Sequence, residues 1–111
     1  MAEKVLLNIM GTRCRPEQEA KFNKWYEEVH IPMALKFKGL KGATRCKIAN
    51  AVPEYPAYIA IYEFESRKAF EDYGKSPELA AVLAEMKETW KDGGFDVVWR
   101  VQYEVLKTWR K

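Results

Sequence analysis

Apolar positions along this chain change period several times, and each change marks an element. Residues 4–10 alternate as a short strand, with Val5, Leu7 and Ile9 on one face and Leu6, Asn8 and Met10 on the other. Arg15-Pro16-Glu17-Gln18-Glu19 then puts proline at a first helical position and acids at the positive end of the dipole. A helix follows to about residue 30. Phe22, Trp25, Tyr26 and Val29 recur in it at three- and four-residue steps, continued by Met33, while Glu17, Lys21, Lys24 and Glu28 take the other side. The aromatic stripe is its buried face. Gly39 and Gly42 punctuate the exit, and residues 43–51 alternate through Thr44, Cys46 and Ile48 as a half-exposed strand. After a loop with Pro53 and Pro56, residues 57–64 oppose Tyr58, Ala60, Tyr62 and Phe64 to Ile59, Ile61 and Glu63, completing a hairpin.

A second helical region spans 66–90, with a break at Gly74 and a restart at Ser76-Pro77 as N-cap and N1. Leu79, Val82, Leu83, Met86 and Trp90 form its core stripe. Gly93-Gly94 ends it, and residues 95–106 make a long last strand. The order is βαββαβ, without repeats, low-complexity tracts or linkers, which predicts a single α+β domain over residues 1–111.

The pointed chemistry lies in Trp25-Tyr26-Glu27-Glu28-Val29-His30-Ile31-Pro32, which holds the only histidine. Tyr26 and His30 are four apart and share one helical face, so a phenol and an imidazole meet the same space. Pro32 disfavours helical geometry at Ile31 and removes a backbone donor, so the helix is expected to stop there, with a kink or a change of helix type beside His30. Glu27, three residues before His30, is within reach as an orienting carboxylate or serves as a solvated face residue.

The same stretch, followed by Met33-Ala34-Leu35-Lys36-Phe37-Lys38-Gly39-Leu40-Lys41-Gly42, resembles the EthD-like members of the dimeric α+β barrel superfamily. Ala60-Ile61-Tyr62-Glu63-Phe64-Glu65-Ser66 supports it more loosely. The resemblance implies a ferredoxin-like βαββαβ domain: an antiparallel four-stranded sheet, two helical regions on one face, and a homodimer formed by pairing sheets. The superfamily includes cofactor-free monooxygenases, polyketide cyclases, lactone isomerases and haem-degrading enzymes, so it implies a fold more firmly than a reaction. In haem-degrading relatives an asparagine on the first strand is functional, and Asn8 occupies such a place. Their histidine ligand sits on the second helix, where this chain has none, and haem binding through His30 is the less favoured reading.

Composition narrows the chemistry. Aromatic residues make up 14% of the chain and hydrophobic ones 48%, which suits flat, apolar ligands. The net charge of +3 comes from 19 basic and 16 acidic residues scattered along the chain, without the basic stripe of a nucleic-acid binder. Cys14 and Cys46 are far apart and at no zinc-like spacing, so they read as free thiols, with neither metal nor disulfide scaffold. No segment reads as a membrane span, and because Met1-Ala2-Glu3-Lys4 runs directly into the first strand no leader is expected, so the expectation is a cytoplasmic protein.

The expected function is therefore a small enzyme without cofactor that uses His30 for general acid/base work on an aromatic, polyketide-like or otherwise enolisable substrate. Tyr26 or Asn8 would hold the developing oxyanion. Asn8 also needs explanation as an amide in an apolar strand, and Tyr62, Trp90 and Trp99 are the expected aromatic walls of a cavity. The alternative is a non-catalytic dimer of the same fold that binds a small hydrophobic molecule or a protein partner.

Overall fold

The computed structural model describes residues 4–111, so the reading of residues 1–3 lies outside the described residues. The chain runs through β1 (Leu6–Cys14), a 3-10 turn (Pro16–Gln18), α1 (Glu19–Trp25), a π-helical turn (Tyr26–His30) and α2 (Ile31–Ala34). It continues through β2 (Leu40–Lys47), β3 (Tyr58–Phe64), α3 (Arg67–Tyr73), α4 (Pro77–Thr89) and β4 (Phe95–Glu104). The strands form one antiparallel sheet in the order β2-β3-β1-β4, the ferredoxin-like arrangement.

The helices cover the sheet face that carries Leu6, Asn8, Tyr58, Ala60, Tyr62 and Phe64, which all pack into a core with Phe22, Trp25 and Tyr26. The opposite face presents Leu7, Ile9, Ile59, Ile61, Trp99, Val101 and Tyr103, in the register Leu7↔Tyr103, Ile9↔Val101, Ile9↔Ile61 and Gly11↔Ile59.

Gly42, expected to punctuate the helix exit, lies inside a strand, and so does Gly11. β1 continues past Met10 because Gly11 pairs with both Ile59 and Trp99, and a Cβ there would meet the Trp99 ring at 2.8 Å and Pro56 at 2.7 Å. Gly11 therefore serves a close approach and not a turn. Gly42 pairs with Glu63 just after a bulge, so β2 begins at Leu40, earlier than expected, and ends at Lys47.

The first helix does not stop at Pro32. Ile31 is helical (φ −65°, ψ −46°), and its N–H reaches back five residues to the Tyr26 carbonyl. Proline in an α-helix clashes with the carbonyl four residues back, here Glu28; the wider π turn moves that carbonyl aside and lets α2 follow. The expected change of helix type occurs, while the expected end does not. In the second region Ser76 accepts from the Leu79 N–H at 3.0 Å, capping α4 as the sequence predicts, and Ser66 caps α3 in the same way, accepting from the Ala69 N–H at 3.0 Å.

Candidate functional site

His30 is the last residue of the π turn, which swings its ring into the layer between helices and sheet. Its imidazole stacks on Trp25 at 4.4 Å and 26° and meets Tyr26 edge-on at 5.0 Å. Trp25 is in turn fixed from α4, since its Nε1 donates to Glu85 Oε1 at 2.8 Å, and the Thr89 hydroxyl donates to the other oxygen of Glu85. An exposed Glu27 lies on a different surface cleft with Glu19, Asn23 and Arg45, so the carboxylate that acts on His30 is Glu85 and not Glu27.

Burial pushes the His30 imidazole down to about 4; the Glu85 carboxylate pulls it back up and the Arg45 guanidinium adds to the fall. The ring is neutral at neutral pH. Its Nδ1 is buried and has no hydrogen-bond partner among the described residues, so no carboxylate or carbonyl fixes the tautomer.

His30, Tyr26, Asn8 and Tyr62 all line one cavity of about 350 Å³. Phe70 of α3 and Leu79, Leu83 and Met86 of α4 give it an apolar wall, and the exposed Glu71 and Arg100 supply charge at its open side. The α4 stripe therefore divides: Trp90 is buried in the core, Val82 is buried and also lines the cavity, and the less buried Leu79, Leu83 and Met86 line it with Val82. Asn8 is buried, and its Oδ1 accepts from Gln102 Nε2 at 2.9 Å, which leaves the amide NH₂ as the donor end.

The phenols of Tyr26 and Tyr62 interact at the cavity. The Tyr62 hydroxyl is buried and makes no hydrogen bond of sound geometry, and burial together with the nearby Tyr26 hydroxyl keeps it well above the ordinary phenol range. Tyr26 is also raised by burial, with the Tyr62 hydroxyl and the Arg45 and Arg100 guanidiniums opposing that rise. Arg45 lies 4.3 Å over the Tyr26 ring, and its Nη1 donates to Asn23 Oδ1 at 3.0 Å. Both phenols stay protonated at neutral pH and act as hydrogen-bond donors.

Two expected walls are elsewhere. Trp90 is buried behind Trp25 and Phe95, at 5.6 Å and 5.1 Å from them, and belongs to the packed core. Trp99 is on the opposite face of the sheet, over Gly11. Simple alternation from Phe95 would have turned Trp99 inward. A bulge opposite Gly11/Thr12 breaks that alternation: Val97 pairs with Thr12 and Trp99 with Gly11, so Trp99 turns out and Arg100, opposite Met10, turns in. Arg100 on the cavity wall and Glu85, which holds Trp25 and acts on His30, are the residues of this candidate site that the sequence reading does not contain. The Glu85–Thr89 pair, four apart beside the apolar stripe, was a faint signal; nothing in the residues announced the bulge.

Among the described residues no three His, Cys, Asp or Glu side chains gather as metal ligands, and no helix is long and apolar enough to cross a membrane. Cys14 and Cys46 are free thiols, the first half-buried and the second exposed.

The family described as "Domain of unknown function (DUF4286)" matches residues 5–98. The chain belongs to that family. No curated protein matches this DUF4286 member. Among solved structures it is similar to HapK from Hahella chejuensis, at 16% identity over 96% of this chain and 97% of that one, with a TM-score of 0.73. An ethyl tert-butyl ether d (EthD) family protein from Bacillus halodurans has 15% identity over 93% and 99%, with a TM-score of 0.65. SnoaB from Streptomyces nogalater, a cofactor-independent oxygenase, has 12% identity over all of both chains, with a TM-score of 0.65. These likenesses establish the shared EthD-like fold.

Proposed function

We infer that this DUF4286 protein is an enzyme without metal or organic cofactor, in which His30 takes a proton from an aromatic or enolisable substrate held in the cavity. The observation that carries the reading is a neutral, buried imidazole and an unpartnered phenol, Tyr62, on the wall of one apolar cavity. Buried polar groups are ordinarily satisfied, and a ligand with an oxygen at this depth would satisfy both. The cofactor-independent oxygenase among the structural relatives lends analogy only.

An imidazole held near 4 is a weak base on its own, and that is informative about mechanism. Its weakness comes from having no counter-charge in a dry site. Proton transfer from a substrate creates one, because the enolate or phenolate left behind lies beside the new imidazolium. At about 4 Å and an effective dielectric near 20 such a pair is worth roughly 4 kcal/mol, or about three pKa units, which restores a base suited to neutral pH. Tyr62, Tyr26 and the Asn8 amide are donors for the developing oxyanion. Isomerisation, cyclisation, decarboxylation and reaction with O₂ all start from that anion.

The test follows the ring protons of the sole histidine by NMR. The free protein is expected to titrate near 4, and one class within a panel of phenols, aryl acids and β-keto compounds to shift the signals and raise the midpoint. A midpoint at the ordinary 6.5 that no compound moves removes the reading. Binding with no turnover would favour the second reading, a non-catalytic hydrophobic-ligand protein, which draws on the lack of any group fixing the His30 tautomer. These residues do not favour haem ligation by His30, because the imidazole is held between the rings of Trp25 at 4.4 Å and Tyr26 at 5.0 Å.

The same reading takes the protein as a homodimer. Its support is the helix-free sheet face, where Ile9, Ile59, Ile61, Trp99 and Val101 form a contiguous apolar surface, with Trp99 38% exposed and Tyr103 58%. Light scattering should give twice the 13.0 kDa of one chain; the monomer mass at working concentration rules the pairing out.

A further inference from the structure

We propose that the ligand of this cavity is a carboxylate with an apolar or aromatic body, and that Arg100 binds its anionic end at the cavity mouth. The proposal rests on the cavity being the ligand site and adds the chemical class. Arg100 owes its position to the β4 bulge, which turns an arginine onto the cavity side of an edge strand where regular alternation would have put Trp99. Bulges of this kind re-aim side chains and are found next to active sites.

The guanidinium makes no ion pair there among the described residues. The ion pairs and side-chain hydrogen bonds among the described residues engage Arg13, Arg15, Arg45 and Arg67 but not Arg100. Glu71, the other charged residue on the wall, acts on Arg67, which is itself paired with Glu104. The charge of Arg100 is instead felt inward, at the Tyr26 hydroxyl. The mouth thus carries a guanidinium that no protein carboxylate holds in an ion pair or hydrogen bond among the described residues, with Glu71 as the one carboxylate on the same wall.

The layout matches an amphipathic anion in three zones. The carboxylate sits at the rim, where it keeps part of its hydration and avoids the cost of burying charge, and where the guanidinium fork can engage both oxygens. The apolar body lies against Phe70, Leu79, Leu83 and Met86. A polar atom at the far end reaches the unpartnered Tyr62 hydroxyl and His30. This orientation puts the reacting carbon away from the carboxylate, so proton removal at His30 does not build a second negative charge beside the first.

Matched acids and amides decide it: phenylacetate, 3-phenylpropanoate, 4-phenylbutanoate and 1-naphthoate against their primary amides, with dissociation constants read from the His30 ring signals. Wild-type protein should bind the best acid at least about tenfold tighter than its amide, the scale of a charge-assisted hydrogen-bonded pair. In Arg100→Gln that preference should vanish while amide affinity stays unchanged, which also reports an intact cavity. If amides bind at His30 and acids have no advantage, or if the advantage survives in Arg100→Gln, the assignment of Arg100 is overturned and the cavity reading stands. If neither acids nor amides perturb His30, both fall together.

Discussion

Phe22→Ala should destabilise the protein by about 3–5 kcal/mol, the range for removing a fully buried phenylalanine. Phe22 has 0% exposure and touches the rings of Tyr26 at 5.1 Å, Tyr58 at 5.7 Å, Trp90 at 6.0 Å and Phe95 at 5.1 Å. It joins α1 to the sheet and to the end of α4 at once. Truncation therefore leaves a void bounded by rings from the π turn, β3, the end of α4 and β4, which no single side chain can move to fill, and cavity cost adds to the lost transfer energy. At this chain length the loss corresponds to roughly 12–20 °C in Tm. Leu83→Ala is the control. Its side chain is 48% exposed on the cavity side of α4, and its removal should cost far less. Chemical denaturation of both variants checks the pair, and a Phe22→Ala loss no larger than that of Leu83→Ala contradicts this picture of the core.

The contrast between these two leucine- and phenylalanine-bearing faces also explains what the sequence could disclose. Periodicity identifies a side of a helix that avoids water, and it found Phe22, Trp25 and Tyr26 correctly as core. It does not distinguish a face pressed into a core from one that walls a cavity, because both exclude water. Leu79, Leu83 and Met86 look the same in sequence as Val82 and Trp90, yet only the latter two are buried. Cap chemistry is local and was legible for the same reason that turn residues are: Ser76 and Pro77 act on backbone groups within a few residues.

The site was half legible. Tyr26 and His30 belong to one turn, so their spacing sufficed to place them together, and Asn8 and Tyr62 follow from alternation on adjacent strands, where they pair directly. Trp99 and Arg100 depend on a bulge whose cause is long-range, the pairing of β4 with Gly11 and Thr12 almost ninety residues earlier, and alternation alone gives the opposite faces. Glu85 depends on how α4 packs across Trp25, a contact between residues 60 apart in sequence. The helix continues past Pro32 because the π turn accommodates the proline ring, a geometry that apolar spacing does not encode.

His30→Gln should lower turnover of a wild-type substrate by about 10²–10⁴-fold, the contribution of a positioned general base, while the fold persists. Glutamine keeps a polar side chain of similar reach and offers no group that gains a proton near neutral pH. The same variant has a second signature that separates a catalytic histidine from a misfolded protein. In the unfolded chain His30 binds its proton near the ordinary 6.5, and in the native protein only near about 4. Between these values the unfolded state holds more protons, so the native state loses stability as pH falls from 6.5 toward 4 and regains it as pH rises. The full span is worth about 3 kcal/mol, and this contribution should be missing from the pH profile of His30→Gln. Wild type and variant compared by denaturation at pH 7 and pH 4 supply that number independently of any substrate. A folded variant that keeps turnover removes His30 from the chemistry. A variant whose acid sensitivity equals wild type removes the buried, neutral imidazole on which the proton-transfer argument depends, because only a ring that resists charging in the empty cavity gains its basicity from the substrate anion.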